Sequence, residues 1–536
     1  MSIKNSLTWI FLLFLTFQTV SAETVNNDEL SNITPLLLSK NFDDLYQAVD
    51  QLAEQNSEQS KFLLAHWLEA ELYYVKKDKT LVILETKDSK YAITDALTQE
   101  NLGEISKRKL KKVKLNNQLR VKIRSALAVM DLRHPERERR LAAVERMLDR
   151  PSPDHAALLM PLIAKETDAT VQESMRLVIA LDQLNSDDNT QRMAAIDTLE
   201  GSIHPVVHNR LQNLQKETND PALSKRLQQV LQSIDNKLGW YNFVENLFFG
   251  LSLGSVLVLA AIGLAITFGV MGVINMAHGE LIMLGAYTTY VMQLLMPNYI
   301  GASVLLAIPA AFIVSGLVGI AIERGVIRFL YGRPLETLLA TFGISLILQQ
   351  AVRSIFSPLN RSVETPMWMS GSWEINSALS LTYNRLYIII FCLLVFTALF
   401  IILKKTALGL QVRAVSQNRN MARAMGVRSE WVDAMTFGLG SGIAGVAGVA
   451  LSQLTNVGPN LGQAYIIDSF MVVVFGGVGN LWGTLVSGMS LGIANKFLEP
   501  WSGAVLAKIL VLVFIILFIQ KWPRGLFPQK GRAAEA

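Results

Sequence analysis

The feature that most constrains this fold is a series of apolar segments that fills the C-terminal half of the chain. From residue 243 to residue 519 the sequence consists mostly of Leu, Ile, Val, Ala, Gly and Phe. A helix needs about 20 apolar residues to cross a bilayer, and nine segments reach or approach that length. We therefore predict an all-α, polytopic membrane domain with eight or nine spans and broken helices. The segments are 243–271, 281–296, 302–322, 337–355, 386–403, 434–454, 466–476, 481–494 and 504–519.

Composition divides the chain into unlike halves. Residues 23–236 are rich in Lys, Glu, Asp and Gln, which is typical of a soluble region. The formal net charge is only +5 over 536 residues, and the positive residues lie beside apolar segments, so a nucleic-acid partner is not expected. A single cysteine, Cys392, excludes internal disulfides and multi-cysteine zinc sites.

The N-terminus has the pattern of a secretory signal at residues 1–22. Lys4 supplies positive charge, residues 7–17 form a short apolar core, and small residues precede a cleavage point after Ala22. The alternative is an uncleaved N-terminal anchor. Either reading predicts that the segment after Ala22 is exported.

Two soluble segments follow. Residues 23–137 have mixed character, and the apolar stretches 72–75 and 80–84 flank a turn-like 76–79, which predicts a hairpin. Residues 138–236 have a helical pattern, in which RLAAV at Arg140 and RMAAI at Arg192 repeat one unit. This segment resembles HEAT-type helical repeats, mostly helical and stacked in pairs. An irregular helical bundle is the alternative.

Positive residues predict the orientation in the membrane. They follow the third, fifth and last apolar segments, at 324–333, 404–428 and 521–532. Such clusters belong on the cytoplasmic side, which agrees with an exported N-terminal domain if every segment of 243–527 crosses. The tail 528–536 is then cytoplasmic and the loop 357–384 is periplasmic.

Three polar or glycine-rich stretches interrupt the apolar half. The first, GVMGVINMAHGE at 269–280, brings ionisable groups to a membrane segment, where they are costly unless they face a cavity or a packed partner. The second, FGGVGNLWG at 475–483, shares the form Gly-Val-x-Asn with the first. Matching breaks occur in duplicated transporters, but chance explains a four-residue match nearly as well. The candidate solute-pathway residues are Gly272, Asn275, His278, Glu280, Gly476, Gly477, Gly479 and Asn480. A tight structural loop explains these breaks about as well as direct contact with solute.

The third stretch, 404–430, combines basic residues with Ala and Gly at helical spacing. A short helix with small residues fits another protein's groove, whereas anchoring at lipid headgroups explains the charge alone. No phosphate-binding loop and no hydrolase motif occurs in the sequence, so we predict that the chain is not an enzyme and carries no cofactor or metal.

Together the three stretches resemble the permease subunits of branched-chain amino acid type ABC importers, over about 244–527. Asn275-Met-Ala-His-Gly-Glu is similar to that family's Asn-Phe-Ala-His-Gly-Glu motif, and 475–480 is similar to its late glycine-rich turn. The third stretch resembles the loop that engages the ATPase, and the resemblance implies that role for Thr406, Gly409, Arg413, Ala414, Asn418, Ala422 and Gly426.

Within that family the sequence most resembles the first permease subunit of urea importers. LGSVL at 253–257, AITFGVMGVINMAHGE at 265–280, KWPRGLF at 521–527 and the exported N-terminal extension carry this resemblance. We also find no strong pair of opposite charges deep in the segments, which mildly favours a neutral solute. Asp468, Lys496, Glu499 and Lys508 are expected near segment ends.

The resemblance implies an inner-membrane complex with a second permease subunit, two ATP-binding subunits that bind the ATP, a periplasmic substrate-binding protein and membrane lipid. Three rival functions remain open. The chain could be a branched-chain amino acid permease, a self-sufficient urea or amide channel, or chiefly a docking scaffold that uses its soluble domain.

Overall fold

We analysed a computed structural model of the full chain. It describes residues 33–39, 41–87, 90–105, 109–149 and 152–528, so the predicted signal at 1–22 and most of the tail 528–536 lie outside the described residues. The chain forms two compact units. Among the described residues, the first comprises those up to Leu231 except for 203–205, and the second comprises 203–205 and the residues from Gln232 onward.

The first unit begins with helices packed on an antiparallel sheet. The strands that flank residues 76–79 pair with each other, Leu72 with Ile83 and Tyr74 with Leu81, and they belong to a sheet of order β4-β3-β2-β1-β5. The sequence predicted only β1 and β2. It did not predict the other three strands, because they are short or polar. The elements are α1 (Phe42–Gln55), α2 (Glu58–Leu68), β1 (Leu72–Val75), β2 (Leu81–Lys87), β3 (Lys90–Asp95), β4 (Asn101–Glu104), β5 (Leu110–Lys112) and α3 (Asn117–Leu132).

A three-helix unit then occurs twice. Each helix of the second copy begins at the same interval after its counterpart, at Arg137 and Asn189, at Pro153 and Pro205, and at Ala169 and Pro221. The repeat is therefore a helical triplet, where the sequence predicted helical pairs. The six helices are α4 (Arg137–Asp149), α5 (Pro153–Ile163), α6 (Ala169–Gln183), α7 (Asn189–Leu199), α8 (Pro205–Glu217) and α9 (Pro221–Met271), and α9 continues into the second unit.

Equivalent arginines hold the start of each triplet. The Arg140 guanidinium donates to the carbonyl of His134, 2.9 Å away, and Arg192 donates in the same way to the carbonyl of Ser186. Arg140 also forms a two-point pair with Glu166, with Nε–Oε2 and Nη2–Oε1 distances of 2.9 and 3.0 Å. Burial opposes ionisation of Glu166, but Arg140 and the amides of residues 167 and 168 outweigh it, so the pKa of Glu166 lies below its ordinary value.

This pair predicts a pH-dependent stability of the first triplet. Because folding lowers the pKa of Glu166, the pair stabilises the folded unit fully above the unfolded pKa of about 4.3 and less as the pH falls through the folded value. At pH 7 we expect Glu166→Gln to lose about 2 kcal/mol, which is roughly thirtyfold in the hydrogen-exchange rates of α4 and α6. The difference from the wild type should shrink on acidification below about pH 4. Exposed Glu138 on α4 provides the control Glu138→Gln, and equal exchange in both variants at pH 7 would contradict the prediction.

The second unit is a helical membrane domain, which confirms the predicted fold class. A short hairpin in the loop after α12 is an addition that the sequence did not predict. The further elements are α10 (His278–Leu295), α11 (Ile300–Gly325), a 3-10 turn (Ile327–Leu330), α12 (Pro334–Phe356), a second 3-10 turn (Met367–Met369), β6 (Ser372–Asn376), β7 (Leu379–Thr382), α13 (Tyr383–Lys405), α14 (Ala407–Gln417), α15 (Arg419–Ala424), α16 (Ser429–Ser452), α17 (Leu461–Gly476) and α18 (Leu481–Lys521).

All nine predicted apolar segments lie in helices to within two residues at their ends. Within the described part of the chain, six helices are long and apolar enough to cross a membrane, namely α9, α11, α12, α13, α16 and α18. Two further segments form α10 and the shorter α17. The last two share α18, whose helical geometry is interrupted at Gly503 (φ 77°, ψ 160°). The helix breaks after Met271 and after Gly476 are as predicted.

Helix α16 lies at the centre of this unit and is buried along almost its whole length. Small residues let α10 and α11 approach its backbone closely. A Cβ atom at Gly285 of α10 would lie 2.0 Å from the carbonyl oxygen of Gly445 of α16, and one at Gly445 would lie 2.5 Å from that of Ala311 of α11. The glycines of this crossing are therefore required by packing.

Candidate functional site

One cavity brings the three singled-out stretches together. It has a volume of about 810 Å³. Gly269 and Val270 line it from the first stretch, Gly479 and Asn480 from the second, and Arg413 from the third. Segments that are far apart in sequence thus share one space, which the sequence alone could not predict.

The first break is a short loop between α9 and α10. Gly272 has φ 65°, a conformation that favours glycine. Asn275 is fully buried, and its Oδ1 accepts from the amide of Ala277 at 3.0 Å. The Asn275 Nδ2 group is buried without a partner in the described residues. The loop is therefore built by local hydrogen bonds, and it retains an unused donor.

His278 and Glu280 lie in the interior and not along this cavity. One ring nitrogen of His278, Nε2, lies 2.8 Å from the carbonyl oxygen of Ala260 of α9. Glu280 Oε1 accepts from Gln349 Nε2 at 2.9 Å and from Ser345 Oγ at 3.1 Å. The His278 Nδ1 and Glu280 Oε2 atoms are buried and find no partner in the described part of the chain.

A polar stripe on α12, which was not predicted from the sequence, supports the first break. It consists of Thr337, Thr341, Ser345 and Gln349, all buried. The amide of Met276 donates to Thr341 Oγ1 at 3.1 Å. These residues recur every fourth position, which aligns them on one helix face. That spacing could have revealed the stripe in the sequence. The segment is also long and apolar enough to be interpreted as an ordinary spanning helix, so its polar face was not recognised.

The second break joins α17 to α18 and is held by the segment that follows α18. Asn480 caps α18 by accepting from the amides of Trp482 and Gly483, at 3.0 and 3.2 Å. Its Nδ2 donates to the carbonyl of Phe527 at 3.3 Å. Gly477 has φ 100°, and a Cβ there would lie 2.7 Å from the same carbonyl. Gly477 is thus required by both conformation and packing.

The two breaks lie against each other. A Cβ atom at Gly269 would lie 2.3 Å from the Cα of Gly479. Gly476 packs in the same way on α18, where its Cβ would lie 2.4 Å from the carbonyl oxygen of Gly483. The shared form Gly-Val-x-Asn therefore occurs at two breaks that approach each other closely through Gly269 and Gly479.

The third stretch forms two short helices with side-chain caps. Thr406 Oγ1 accepts from the amide of Gly409 at 3.3 Å, and Asn418 Oδ1 accepts from that of Met421 at 2.9 Å. The Arg413 guanidinium donates to the carbonyl of Leu403 at the end of α13. A Cβ at Gly409 would lie 2.1 Å from the same carbonyl oxygen. Helix α14 is thus fixed tightly on α13.

A buried apolar cluster connects the third stretch with the first break. Its buried members Val412, Val415 and Ala422 belong to α14 and α15, and Val432 belongs to α16. Val270, the penultimate residue of α9, packs against the cluster, as does Ala414. A displacement of α14 and α15 would therefore reach the first break directly. Gly426 follows α15 with φ 87°, and the space around it is open.

An aromatic and ionic clamp attaches α15 to α16. The guanidinium of Arg419 lies 4.1 Å from the centroid of the Tyr331 ring and pairs with the carboxylate of Asp433. The Asp433 side chain is 1% exposed. Of this clamp, only the positive charge of Arg419 was apparent from the sequence.

The charged residues of α17 and α18 correct one prediction. Asp468, in the middle of α17, forms an ion pair with Lys508 of α18 at 3.2 Å, and Lys496 pairs with Glu499 at 2.5 Å. The prediction that no strong pair of opposite charges lies deep in the segments is therefore corrected for Asp468 and Lys508. Lys496 and Glu499 lie between the predicted segments 481–494 and 504–519, near the segment ends as expected. Asp468 and Lys508 lie on different helices, and hydropathy does not reveal pairing between helices.

Within the described residues, no cluster of three or more His, Cys, Asp or Glu side chains could hold a metal ion.

Spanning helices, two glycine-rich breaks and a capped helix pair around one cavity define a multi-pass membrane permease. Comparison with known proteins agrees. A profile described as "Branched-chain amino acid transport system / permease component" matches residues 246–519, just over half of the chain. The chain belongs to this family and is a permease subunit of an ABC importer.

Individual relatives match the same half of the chain. The high-affinity branched-chain amino acid transport system permease protein LivH of Salmonella typhimurium is 31% identical over 294 residues, covering 53% of this chain and 95% of that protein. The corresponding protein BraD of Pseudomonas aeruginosa is 29% identical and covers 53% and 96%. The ribose import permease protein RbsC of Escherichia coli is 24% identical and covers 51% and 84%. No solved structure gives a significant match.

Proposed function

We propose that this permease subunit imports urea and that α14 and α15 couple it to ATPase subunits. The observation that carries the coupling is the cluster in which Val412, Val415 and Ala422 pack with Val432 and Val270. A displacement of α14 and α15 would be transmitted through these close-packed side chains to the end of α9, because the contacts leave little free space to absorb it. Exposed Leu410 and Met421, together with Met425 directly after α15, give this region an apolar outer surface for a partner.

The solute path in this proposal passes the two breaks. Gly479 and Asn480 line the cavity already, together with Arg413. Asn275, His278 and Glu280 each keep one buried polar atom without a partner in the described residues. Buried polar atoms normally find partners, so these three support a second conformation in which the first break opens to solute. Alternating access would expose them in turn.

The remaining partners and the orientation follow from the family resemblance and the charge pattern. The complex would contain a second permease subunit, two ATP-binding subunits that hydrolyse ATP, and a periplasmic substrate-binding protein. The N-terminal unit would lie in the periplasm, and α14, α15 and the C-terminus on the cytoplasmic side of the inner membrane. In this arrangement the chain itself is not an enzyme and binds no ATP.

The choice of urea rests on the sequence resemblance and on the N-terminal unit. The branched-chain amino acid permeases above cover only about half of this chain, so they leave the extension unmatched. One observation favours a branched-chain amino acid instead, since the Asp468–Lys508 pair offers the opposite charges that a zwitterion could exchange with. That alternative is retained as the second candidate.

Uptake measurements distinguish the two solutes. In a strain that lacks this gene, we expect uptake of radiolabelled urea to fall to background and uptake of leucine to be unchanged, with the full-length chain restoring urea uptake. Loss of leucine uptake with normal urea uptake would establish the second candidate. Vanadate-insensitive urea flux through the purified chain in liposomes would instead indicate a self-sufficient channel.

A further inference from the structure

A basic cleft lies at the end of α11, beside the turn that connects α15 with α16. Its volume is about 740 Å³, and it shares no lining residue with the cavity described above. We call it the basic cleft and define it by Arg324, Arg423, Arg428, Ser429 and Trp431. Gly426, which the family resemblance assigns to ATPase coupling, also lines the basic cleft, but the coupling argument above uses none of the five defining side chains.

The positive charge of the basic cleft is only partly compensated. Arg423 Nε donates to Ser429 Oγ at 2.6 Å, and Arg324 Nε lies 3.7 Å from a carboxylate oxygen of Glu323. Glu430 also lines the basic cleft, but it pairs with Arg328 at 2.7 Å. Within the described residues, the guanidinium of Arg428 makes no hydrogen bond or ion pair. The basic cleft therefore has unsatisfied donors for an anion.

Helix α16 adds further donors on this side. It begins at Ser429, and the first amides of a helix lack intrahelical acceptors and favour negative charge. Ser429 is buried in the wall of the basic cleft. A phosphate group there would meet guanidinium groups and a helix N-terminus together.

The surroundings of the basic cleft are those of a membrane interface. Arg324 is in the last turn of α11, a helix long and apolar enough to span a bilayer. Trp431 is 56% exposed, and Phe329, which follows the Glu430 partner Arg328 in the sequence, is 72% exposed. Exposed aromatic side chains beside basic residues at a helix end are typical of the headgroup level. A soluble anion would not need this apolar rim, whereas a lipid would use it.

We propose that the basic cleft binds the phosphate-bearing headgroup of an anionic phospholipid. Basic pockets between membrane helices bind such headgroups. Arg423 and Gly426 belong to the segment that follows α14, so a bound lipid would hold that segment against α11 and α16. This consequence for transport rests on the proposed coupling function, whereas the lipid site itself does not.

The test uses the full-length chain purified in a neutral detergent, with bound lipid measured by native mass spectrometry. We expect phosphatidylglycerol to bind more tightly than phosphatidylcholine. Arg428→Gln and Arg324→Gln should each weaken that binding about fivefold, since one basic side chain near an anionic surface contributes roughly 1 kcal/mol. Arg428→Lys keeps the charge and should retain most of the binding. The control is Arg333→Gln, because Arg333 is also exposed but lies outside the basic cleft.

Four results would overturn the proposal. Equal binding of the two lipids would exclude a headgroup site, and an equal loss in Arg333→Gln would show that only overall charge matters. Inorganic phosphate that binds the lipid-free chain and displaces the lipid at equal concentration would show a free-anion site. Loss of lipid on assembly with the ATPase subunits would assign the basic cleft to an acidic segment of that partner and would overturn it as well. None of these measurements depends on transport, so their results can be interpreted even if the transported solute is not urea.

Discussion

Replacing Arg419 with alanine is expected to abolish ATP-driven uptake while ATP hydrolysis continues. The change leaves the carboxylate of Asp433, which is 1% exposed, without its cation. Removing one partner of a buried ion pair costs about 3–5 kcal/mol, and the loss of the Tyr331 stacking contact adds to it. Helix α15 should then detach from α16, so that ATPase motion no longer reaches the first break. The measurement is the ratio of solute transported to ATP hydrolysed in the reconstituted complex.

Three further variants separate this explanation from a general loss of folding. Arg419→Ala combined with Asp433→Ala removes the unpaired charge and should recover part of the uptake. Arg419→Lys keeps the charge but not the planar group, so its uptake should be intermediate. The control is Arg328→Ala, which breaks the exposed pair with Glu430 and should change little, because exposed pairs contribute about 0–1 kcal/mol. Full uptake by Arg419→Ala would contradict the prediction that the contacts of Arg419 with Tyr331 and Asp433 are needed for transport.

The membrane helices and their breaks could be predicted because their causes are local. The sequence shows directly which apolar runs are long enough to cross a bilayer. It also shows the glycines that the turns need, such as Gly272 at φ 65° and Gly477 at φ 100°. The caps of α14 and α15 are equally local, since Thr406 and Asn418 each bond an amide three residues later. Features of this kind need no knowledge of the tertiary structure.

The unpredicted features depend on contacts between segments distant in sequence. Thr341 of α12 bonds the loop before His278, and Lys508 of α18 pairs with Asp468 of α17. The cavity requires three stretches to meet, and the triplet repeat becomes visible only when helix starts are compared. A polar residue in an apolar segment is interpreted correctly only when its partner is known, which is why the sequence pattern places Asp468 near a segment end.

These contacts explain why the first break combines a rigid frame with unused polar atoms. The stripe on α12 supports Met276 and Glu280, while Asn275, His278 and Glu280 each retain one atom without a partner in the described residues. A loop needed only to join two helices could satisfy these atoms or use apolar residues. Buried polar atoms without a partner raise the free energy of a conformation, and the proposed second conformation would relieve this cost.

Valine in place of Gly285 or Gly445 is expected to prevent the membrane unit from folding. A Cβ atom at Gly285 would lie 2.0 Å from the Gly445 carbonyl oxygen, and one at Gly445 would lie 2.5 Å from Ser315 Oγ and from the Ala311 carbonyl oxygen. Backbone cannot rotate away as a long side chain can, so α16 would have to separate from α10 or α11. Overpacking of this kind costs about 3 kcal/mol or more. The measurement is the yield of monodisperse protein in detergent and its melting temperature.

Gly343→Val is the matched control for these glycine variants. Gly343 lies within α12, a spanning helix, and nothing lies within 4 Å of a Cβ built there, so valine should be accepted at full yield. Because both substitutions add the same side chain to a membrane helix, helix propensity and hydrophobicity cancel, and only close packing differs. Normal yield for Gly445→Val would mean that α16 does not approach its neighbours this closely. A loss confined to Gly285 and Gly445 would instead show that the backbone of α16 is in close contact with α10 and α11.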